Sequence, residues 1–242
     1  TELAKQTQNP VADLASVPLQ FNFNSGGDLE DGTQLVFNFQ PVIPLKVTHS
    51  VNVIWRTIVP YVSQPLPGGG HASGIGDVQT QLFFTPAKAG GIVWGLGPIL
   101  QFPSATNDAL RTGEWAAGPT AVIVKTAGPF VLGGLVNQLW HFAGVDDDPK
   151  VNQFLVQPFI NYNFKGGWSI ATAPIITANW SADSGEEWTV PLGLGVSKVT
   201  AIGRQPVSLS MQYYHNIERP TGSPANTLRL VWSFLFPTPQ PA

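Results

Sequence analysis

The chain has 242 residues, of which 11% are charged, 25 are glycine and 22 are proline, with a formal net charge of −3. That length suits one large all-β domain, the glycine and proline content disfavours long helices, and the slight acidity gives no reason to expect nucleic-acid binding. With no cysteine, a disulfide framework and a thiolate metal site are both excluded. The longest uncharged stretches, 89–107 and 126–145, are interrupted by Gly, Pro, Asn, Gln and His. They fall short of the roughly 20 mostly apolar residues of a spanning helix. No secretory signal precedes Thr1, so the chain reads as a mature or trimmed form and export must be argued from the rest.

In chain order, the first local signal is Asn9 followed by Pro10. Asparagine as a cap and proline at the first helical position predict a short helix over residues 10–15. After it the period is two. Leu19, Phe21 and Phe23 alternate with Gln20, Asn22 and Asn24, then Leu35, Phe37 and Phe39 with Gln34, Asn38 and Gln40. Val51, Val53 and Trp55 alternate with Asn52 and Arg56, and Phe154, Val156, Ile160, Tyr162 and Phe164 with Gln153, Gln157, Asn161 and Asn163. The last run carries Leu228, Leu230, Trp232, Phe234 and Phe236. Twelve strands are predicted, beginning near residues 16, 33, 48, 76, 91, 114, 130, 151, 167, 187, 206 and 226. Most run to about ten residues or slightly more, the length with which a tilted strand crosses a bilayer core; ordinary strands average about five or six.

All eight tryptophans, Trp55, Trp94, Trp115, Trp140, Trp168, Trp180, Trp188 and Trp232, fall on the apolar phase, most near a strand end. Aromatic girdles at two interfaces are the pattern of a lipid-facing surface. The core of a soluble sandwich would also take tryptophan, but would leave unexplained an opposite face rich in Asn and Gln and poor in charge. The connections alternate long and short, as in barrels with longer outer loops and short periplasmic turns. The short turns carry Lys46, Lys88, Lys125, Lys165, Lys198 and Arg204, whereas the long ones carry most of the acids, including Asp28, Glu30, Asp31, Asp108, Asp146, Asp147, Asp148, Asp183, Glu186 and Glu218. The fold class expected is all-β: a single antiparallel transmembrane β-barrel of about 12 strands over residues 16–236. Residues 1–15 form a periplasmic segment or plug and residues 237–242 a tail. Pro41, Pro98, Pro119, Pro158, Pro174 and Pro191 fall inside strands and predict bulges or strand ends.

The inward phase supplies the candidate pore lining: Asn22, Asn38, Gln40, Asn52, Arg56, Gln79, Gln81, Gln101, Asn137, His141, Gln157, Asn161 and Gln212. Amides dominate, with Arg56 and Arg229 as the main fixed charges, a lining suited to small neutral or weakly anionic solutes. Val93, Ile99, Val122, Leu139, Leu155, Phe159 and Ile175 also face inward, either as a greasy track or as the packing of a filled interior. No nucleophile motif flanks His49, His71, His141 or His215, so no catalytic residue is assigned and the chain is read as no enzyme. The run Asp146–Asp148 lacks the spacing of a cation cage, and nothing points to a metal or another cofactor. Expected partners are outer-membrane lipid and lipopolysaccharide, with a small hydrophobic or aromatic solute.

Several segments carry a resemblance: QNPVADL (8–14), QPVIPL (40–45), WRTIVP (55–60), GIGDVQTQLFFTP (74–86), WGLGPILQFPSAT (94–106), GPTAVIVK (118–125) and WTVPLGLGVSKV (188–199). They resemble a family of Gram-negative outer-membrane proteins described as transporters or as related to the meta-pathway of phenol degradation. The resemblance covers nearly the whole chain. It implies a bacterial outer-membrane barrel that takes up aromatic or hydrocarbon molecules, and it supplies no catalytic residues. Two functions follow: a channel or uptake port for small neutral or aromatic molecules, or a plugged structural barrel that meets a partner through its loops.

Overall fold

The computed structural model describes residues 2–27, 32–66, 69–87, 90–144 and 150–237. A short helix α1 (Glu2–Thr7) is followed by β1 (Leu14–Ser25), β2 (Thr33–Phe39), β3 (Val42–Lys46), β4 (Val51–Pro65), β5 (His71–Ile75), β6 (Val78–Pro86), β7 (Ile92–Phe102) and β8 (Glu114–Ala127). The rest are β9 (Phe130–Gly144), β10 (Asn152–Asn163), β11 (Trp168–Thr172), β12 (Ile176–Asn179), β13 (Trp188–Ile202), β14 (Gln205–Glu218) and β15 (Asn226–Pro237). Segments β2 and β3, β5 and β6, and β11 and β12 are each one wall strand with a short interruption, so the wall has twelve strands. Every neighbouring pair is antiparallel, and β1 closes the ring on β15 from Leu14 opposite Pro237 to Ser25 opposite Asn226. Closure removes the unpaired edges that an open sheet would present.

The short turns lie at 47–50, 128–129, 164–167 and 203–204, and the long connections alternate with them at the other end. The start of β1 and the end of β15 lie on the short-turn side. One boundary moves from the expectation: β4 runs on to Pro65 and β5 pairs with it, Tyr61 opposite Ile75 through Pro65 opposite His71. The strand expected to begin near 76 therefore begins at His71. Glycines and serines hid it, because a ladder needs backbone donors and acceptors but no apolar alternation. Lys88, Asp28, Glu30, Asp31, Asp146–Asp148 and the tail 238–242 lie outside the described residues.

The prolines act in two ways. Pro41 and Pro174 fall where a wall strand is interrupted, and Pro191 sits at a register shift. Pro98 and Pro119 face each other across β7 and β8. Beyond them the ladders skip: β6–β7 passes from Gln81–Ile99 to Phe84–Leu96, and β8–β9 from Ala117–Trp140 to Thr120–Asn137. Each proline withholds a donor from its other neighbour, so both gaps follow from chemistry. Pro158 lies in an unbroken ladder opposite Gly134.

Outward residues make an apolar surface. Seven tryptophans are between 40% and 51% exposed, which places their rings outside the wall. Trp188, the eighth, is half-buried against Trp180, with ring centroids 5.4 Å apart. Trp55, Trp94 and Trp168 lie toward the short turns, while Trp115, Trp140, Trp180 and Trp188 lie toward the long loops. Trp232 sits mid-wall, opposite Leu19 and Leu209. Leu192, Leu194, Met211 and Tyr213 are likewise exposed on the outer face, as a surface solvated by lipid requires.

The helix expected over residues 10–15 does not form. Asn9 caps a turn instead: its side-chain oxygen accepts from Val11 N at 3.0 Å and its carbonyl from Ala12 N at 3.1 Å. Only Asp13 separates that turn from β1, whose first residues are committed to closing the ring on β15. Helix forms earlier, over Glu2–Thr7, and strand begins at Leu14 inside the expected leader.

Candidate functional site: the barrel lumen

The inner face divides into two walls of different chemistry. On one, Ile54 of β4, Phe83 of β6, Val122 and Val124 of β8, Val131 and Leu135 of β9 and Phe159 of β10 form one buried apolar cluster. Val11 of the N-terminal segment is a member. A segment that reaches this cluster lies within the barrel. Gln8 extends the anchorage: its amide nitrogen donates to Asn163 Oδ1 at 3.0 Å and Ser169 Oγ at 3.1 Å, and Asn163 Nδ2 returns a bond at 3.0 Å. Asp13 meets Lys46 at 3.6 Å at the short-turn mouth.

The opposite wall, from β14 through β15, β1 and β2 to β4, is polar. Arg229 is 7% exposed. Its Nε donates to Asn22 Oδ1 at 3.0 Å and its Nη1 to the Ala173 carbonyl at 3.3 Å and Gln212 Oε1 at 3.4 Å. The guanidinium lies 4.9 Å from the Tyr214 ring centre, a cation–π distance. Asn22 also accepts from Gln20 at 3.3 Å and donates to the Val36 carbonyl at 3.2 Å. Lower on the wall Arg56, opposite Val42 and Gln81, donates to Gln40 Oε1 at 2.8 Å.

The sequence-derived lining residues distribute across this interior. Gln79 donates to Gln101, which reaches Thr112 of an outer loop, both at 3.0 Å. Gln157 donates to the Ala173 carbonyl at 3.4 Å. Asn137 and Asn161 are buried, Asn38 is half-buried opposite Gln20, and the buried Oε1 of Gln81 has no hydrogen-bond partner among the described residues. Asn52 lies at the short-turn mouth beside Lys46. His141 is at the other rim, 3.3 Å from Glu114. Of the apolar inward residues, Val93, Val122, Leu155 and Phe159 pack in or against the cluster that takes Val11. Ile99 and Leu139 form a second cluster with Ala116 and Val151, and Ile175 lines an outer space beside Tyr214.

The space left open is divided. One cavity of about 200 Å³ lies between the N-terminal segment and the polar wall, touching Arg56, Gln40 and Gln157. Two others, of about 250 Å³ and about 170 Å³, share Thr189 in the outer half. Among the described residues no serine is hydrogen-bonded to a histidine, and no cluster of three metal-ligating side chains occurs.

The closed twelve-strand ring, its lipid-suited exterior and its polar lumen agree with the solved structures it resembles. An outer-membrane channel from Pseudomonas putida F1 superimposes with a TM-score of 0.69 at 15% identity, over 92% of this chain and 94% of the other. The chain has the fold of an outer-membrane β-barrel. A second match, from a study of in-meso crystallization of membrane proteins, has a TM-score of 0.52 at 11% identity, covering 92% and 83%. Phospholipase A from the outer membrane of Escherichia coli is looser, 0.49 at 12% identity with 97% of each chain covered. No family model and no curated protein matches the chain. The fold is the one implied by the resemblance to outer-membrane transporters.

Several residues that organise the barrel mouth escaped the alternating pattern. Asp77, between β5 and β6, accepts from Ala105 N at 3.1 Å, Thr112 N at 2.8 Å and Thr112 Oγ1 at 2.6 Å, and so holds the connection 103–113 over the lumen. Only its place in GIGD, beside two glycines, hinted at a turn. Glu186 fastens two outer loops, accepting from Thr221 Oγ1 at 2.7 Å and from the Thr221 backbone N–H. Those bonds hold its carboxyl below the ordinary value of 4.5. A depressed folded pKa means the contact is complete above that ordinary value and is lost as pH falls through the lower one. Protection factors in the 180–187 and 219–225 loops, taken against the intrinsic exchange rate at each pH, should therefore fall on acidification to pH 3, and Thr221→Ala should remove most of that pH dependence.

Proposed function

We propose that this barrel is a narrow port for small neutral, weakly polar or aromatic molecules, with its own N-terminal segment restricting the lumen. The observation that carries the reading is Val11 packed into the apolar wall while the open volume remains along the polar wall. A barrel of about eight strands fills itself and one of 16–18 leaves a wide channel. Twelve strands leave room for a plug and a slim passage beside it. The tryptophans would anchor the barrel in lipid at both interfaces, apart from mid-wall Trp232. Lys198, 4.8 Å over the Trp168 ring, would carry its ammonium to the headgroup level. Outer-membrane lipid and lipopolysaccharide are the surroundings that this exterior suits. The reading makes no use of catalysis.

Planar-bilayer recording of the refolded barrel, full length and lacking residues 1–12, tests the port. We expect small, steady conductance from the full chain and a several-fold larger one after deletion. Silence in both forms, with folding verified by heat-modifiable gel mobility, would sink the port and leave the plugged scaffold, whose loops meet a partner. That second reading draws on the apolar cluster, which packs the N-terminal segment against one wall.

A further inference from the structure

Among the described residues neither lumenal arginine has an acidic partner. Arg229 is held by an asparagine, a glutamine, a backbone carbonyl and a tyrosine ring, none of which carries charge. Arg56 has Gln40 as its hydrogen-bonded partner among the described residues. Two described acids of the outer end are engaged elsewhere: Glu114 with Lys150 and His141 at the outer rim, and Glu187 with the Gly185 backbone N–H at the outer mouth. A charge withdrawn from water and left uncompensated is costly. Two such charges on one wall of a lumen therefore create demand for a mobile anion.

The geometry around Arg56 narrows its kind. Its cavity, about 200 Å³, is bordered by the guanidinium, by the Gln8 and Gln157 side chains and by apolar Leu14, Pro18 and Val42. Among the described residues no acidic side chain lines it. Sites for drug-sized ligands run to roughly 300–1,000 Å³, so the occupant here is a single ring or a short chain. A guanidinium offers a planar fork that matches a carboxylate with two parallel bonds. The apolar residues opposite would receive a hydrocarbon body. Gln20, Asn22, Asn38 and Gln40 connect the two arginines along the inner faces of β1 and β2: Gln20 bonds Asn22, and stands opposite Asn38.

We propose that the polar wall is a carboxylate path, with Arg229 as its outer station and Arg56, beneath the N-terminal segment, as its holding site for a small aromatic or short-chain carboxylate. This deepens the port reading and rests on it for passage, while binding at Arg56 is measurable without passage. Isothermal titration of the full-length barrel in detergent, with benzoate and with benzamide as probes, separates the charge from the ring. Benzoate should bind roughly tenfold or more tighter than benzamide, the margin of one charge-assisted pair over a neutral one. Arg56→Gln should bring the two affinities together, and Arg56→Lys should keep part of the preference. Equal affinities in the unmodified barrel, a preference for benzamide, or no binding of either would overturn the proposal. Benzoate preference unchanged in Arg56→Gln of verified heat-modifiable mobility would overturn the assignment of the holding site. Conductance without carboxylate preference would leave the port standing and remove the carboxylate path. Preference without conductance would leave the Arg56 holding site standing and remove the port, and with it the path.

Discussion

Replacing Gly118 by valine should prevent the barrel from forming or destabilise it by about 3 kcal/mol or more, beyond the usual range for overpacking because the obstruction is backbone. A Cβ at Gly118 would stand 1.8 Å from the Gln138 carbonyl oxygen, and one at Gly97 1.8 Å from that of Leu82. Both glycines precede the facing prolines Pro119 and Pro98. Each proline opens a gap in the ladder on its far side, and the neighbouring strand closes in on the backbone where the glycine has no side chain. A flexible side chain could swing away from a new methyl group, whereas a carbonyl fixed in a barrel wall cannot. Urea unfolding in detergent, followed by tryptophan fluorescence and gel mobility, measures the loss. Gly128→Ala provides the contrast. Gly128 lies in a turn with φ of 57° and open space around the added atom, so its cost should be confined to backbone strain, of order 1 kcal/mol. Equal losses at 118 and 128 would refute the steric account.

The same two glycine–proline pairs mark the boundary of what the sequence could disclose. Twelve strands and their facing were legible because lipid outside and amides inside impose opposite chemistry on alternate residues, as Phe21 against Asn22 demonstrates. Strand starts near 33, 114, 130 and 226 were legible for the same reason. His71–Ile75 was not, since at the outer end of a strand no apolar phase is required. Nor did the prolines announce their different fates. Pro191 shifts register, Pro98 and Pro119 dislocate the ladder, and Pro158 is absorbed. The outcome depends on which neighbour each missing N–H would have met, and that is set by pairing register.

For the lumen, alternation identified which side chains face inward but not which of them meet. Val122 and Phe159 alone read equally well as a track or as packing. Val11, more than a hundred residues earlier, joins them in one cluster, and a tertiary contact of that span leaves no local signature. Asn9–Pro10 misled for a related reason: a cap and a proline start a helix only when the chain beyond is free, and here it enters the ring-closing strand. The arginines were visible as charges. Their lack of acidic partners became visible only when the walls were assembled, with Glu114 and Glu187 both occupied at the outer rim and mouth.

Glu114 supports the last prediction. It is fully buried at the outer end of β8, with Lys150 Nζ 3.2 Å from Oε1 and His141 Nδ1 3.3 Å from Oε2. Among the described residues its Oε2 has no hydrogen-bond partner otherwise, and Gly144 lies so close that a Cβ there would meet the carboxyl at 2.5 Å. Removing both neighbours, His141→Phe with Lys150→Met, would strand a carboxylate in a site closed to water. Breaking a buried pair in this way costs about 3–5 kcal/mol, more than the pair itself contributes. The double variant should therefore unfold at markedly lower urea concentration. Adding Glu114→Gln should recover much of the loss, since a neutral amide carries a smaller desolvation penalty. Recovery would identify the buried charge as the cause. If the triple variant is no more stable than the double, packing of the Lys150 and His141 side chains, rather than their charge, supports this corner of the mouth.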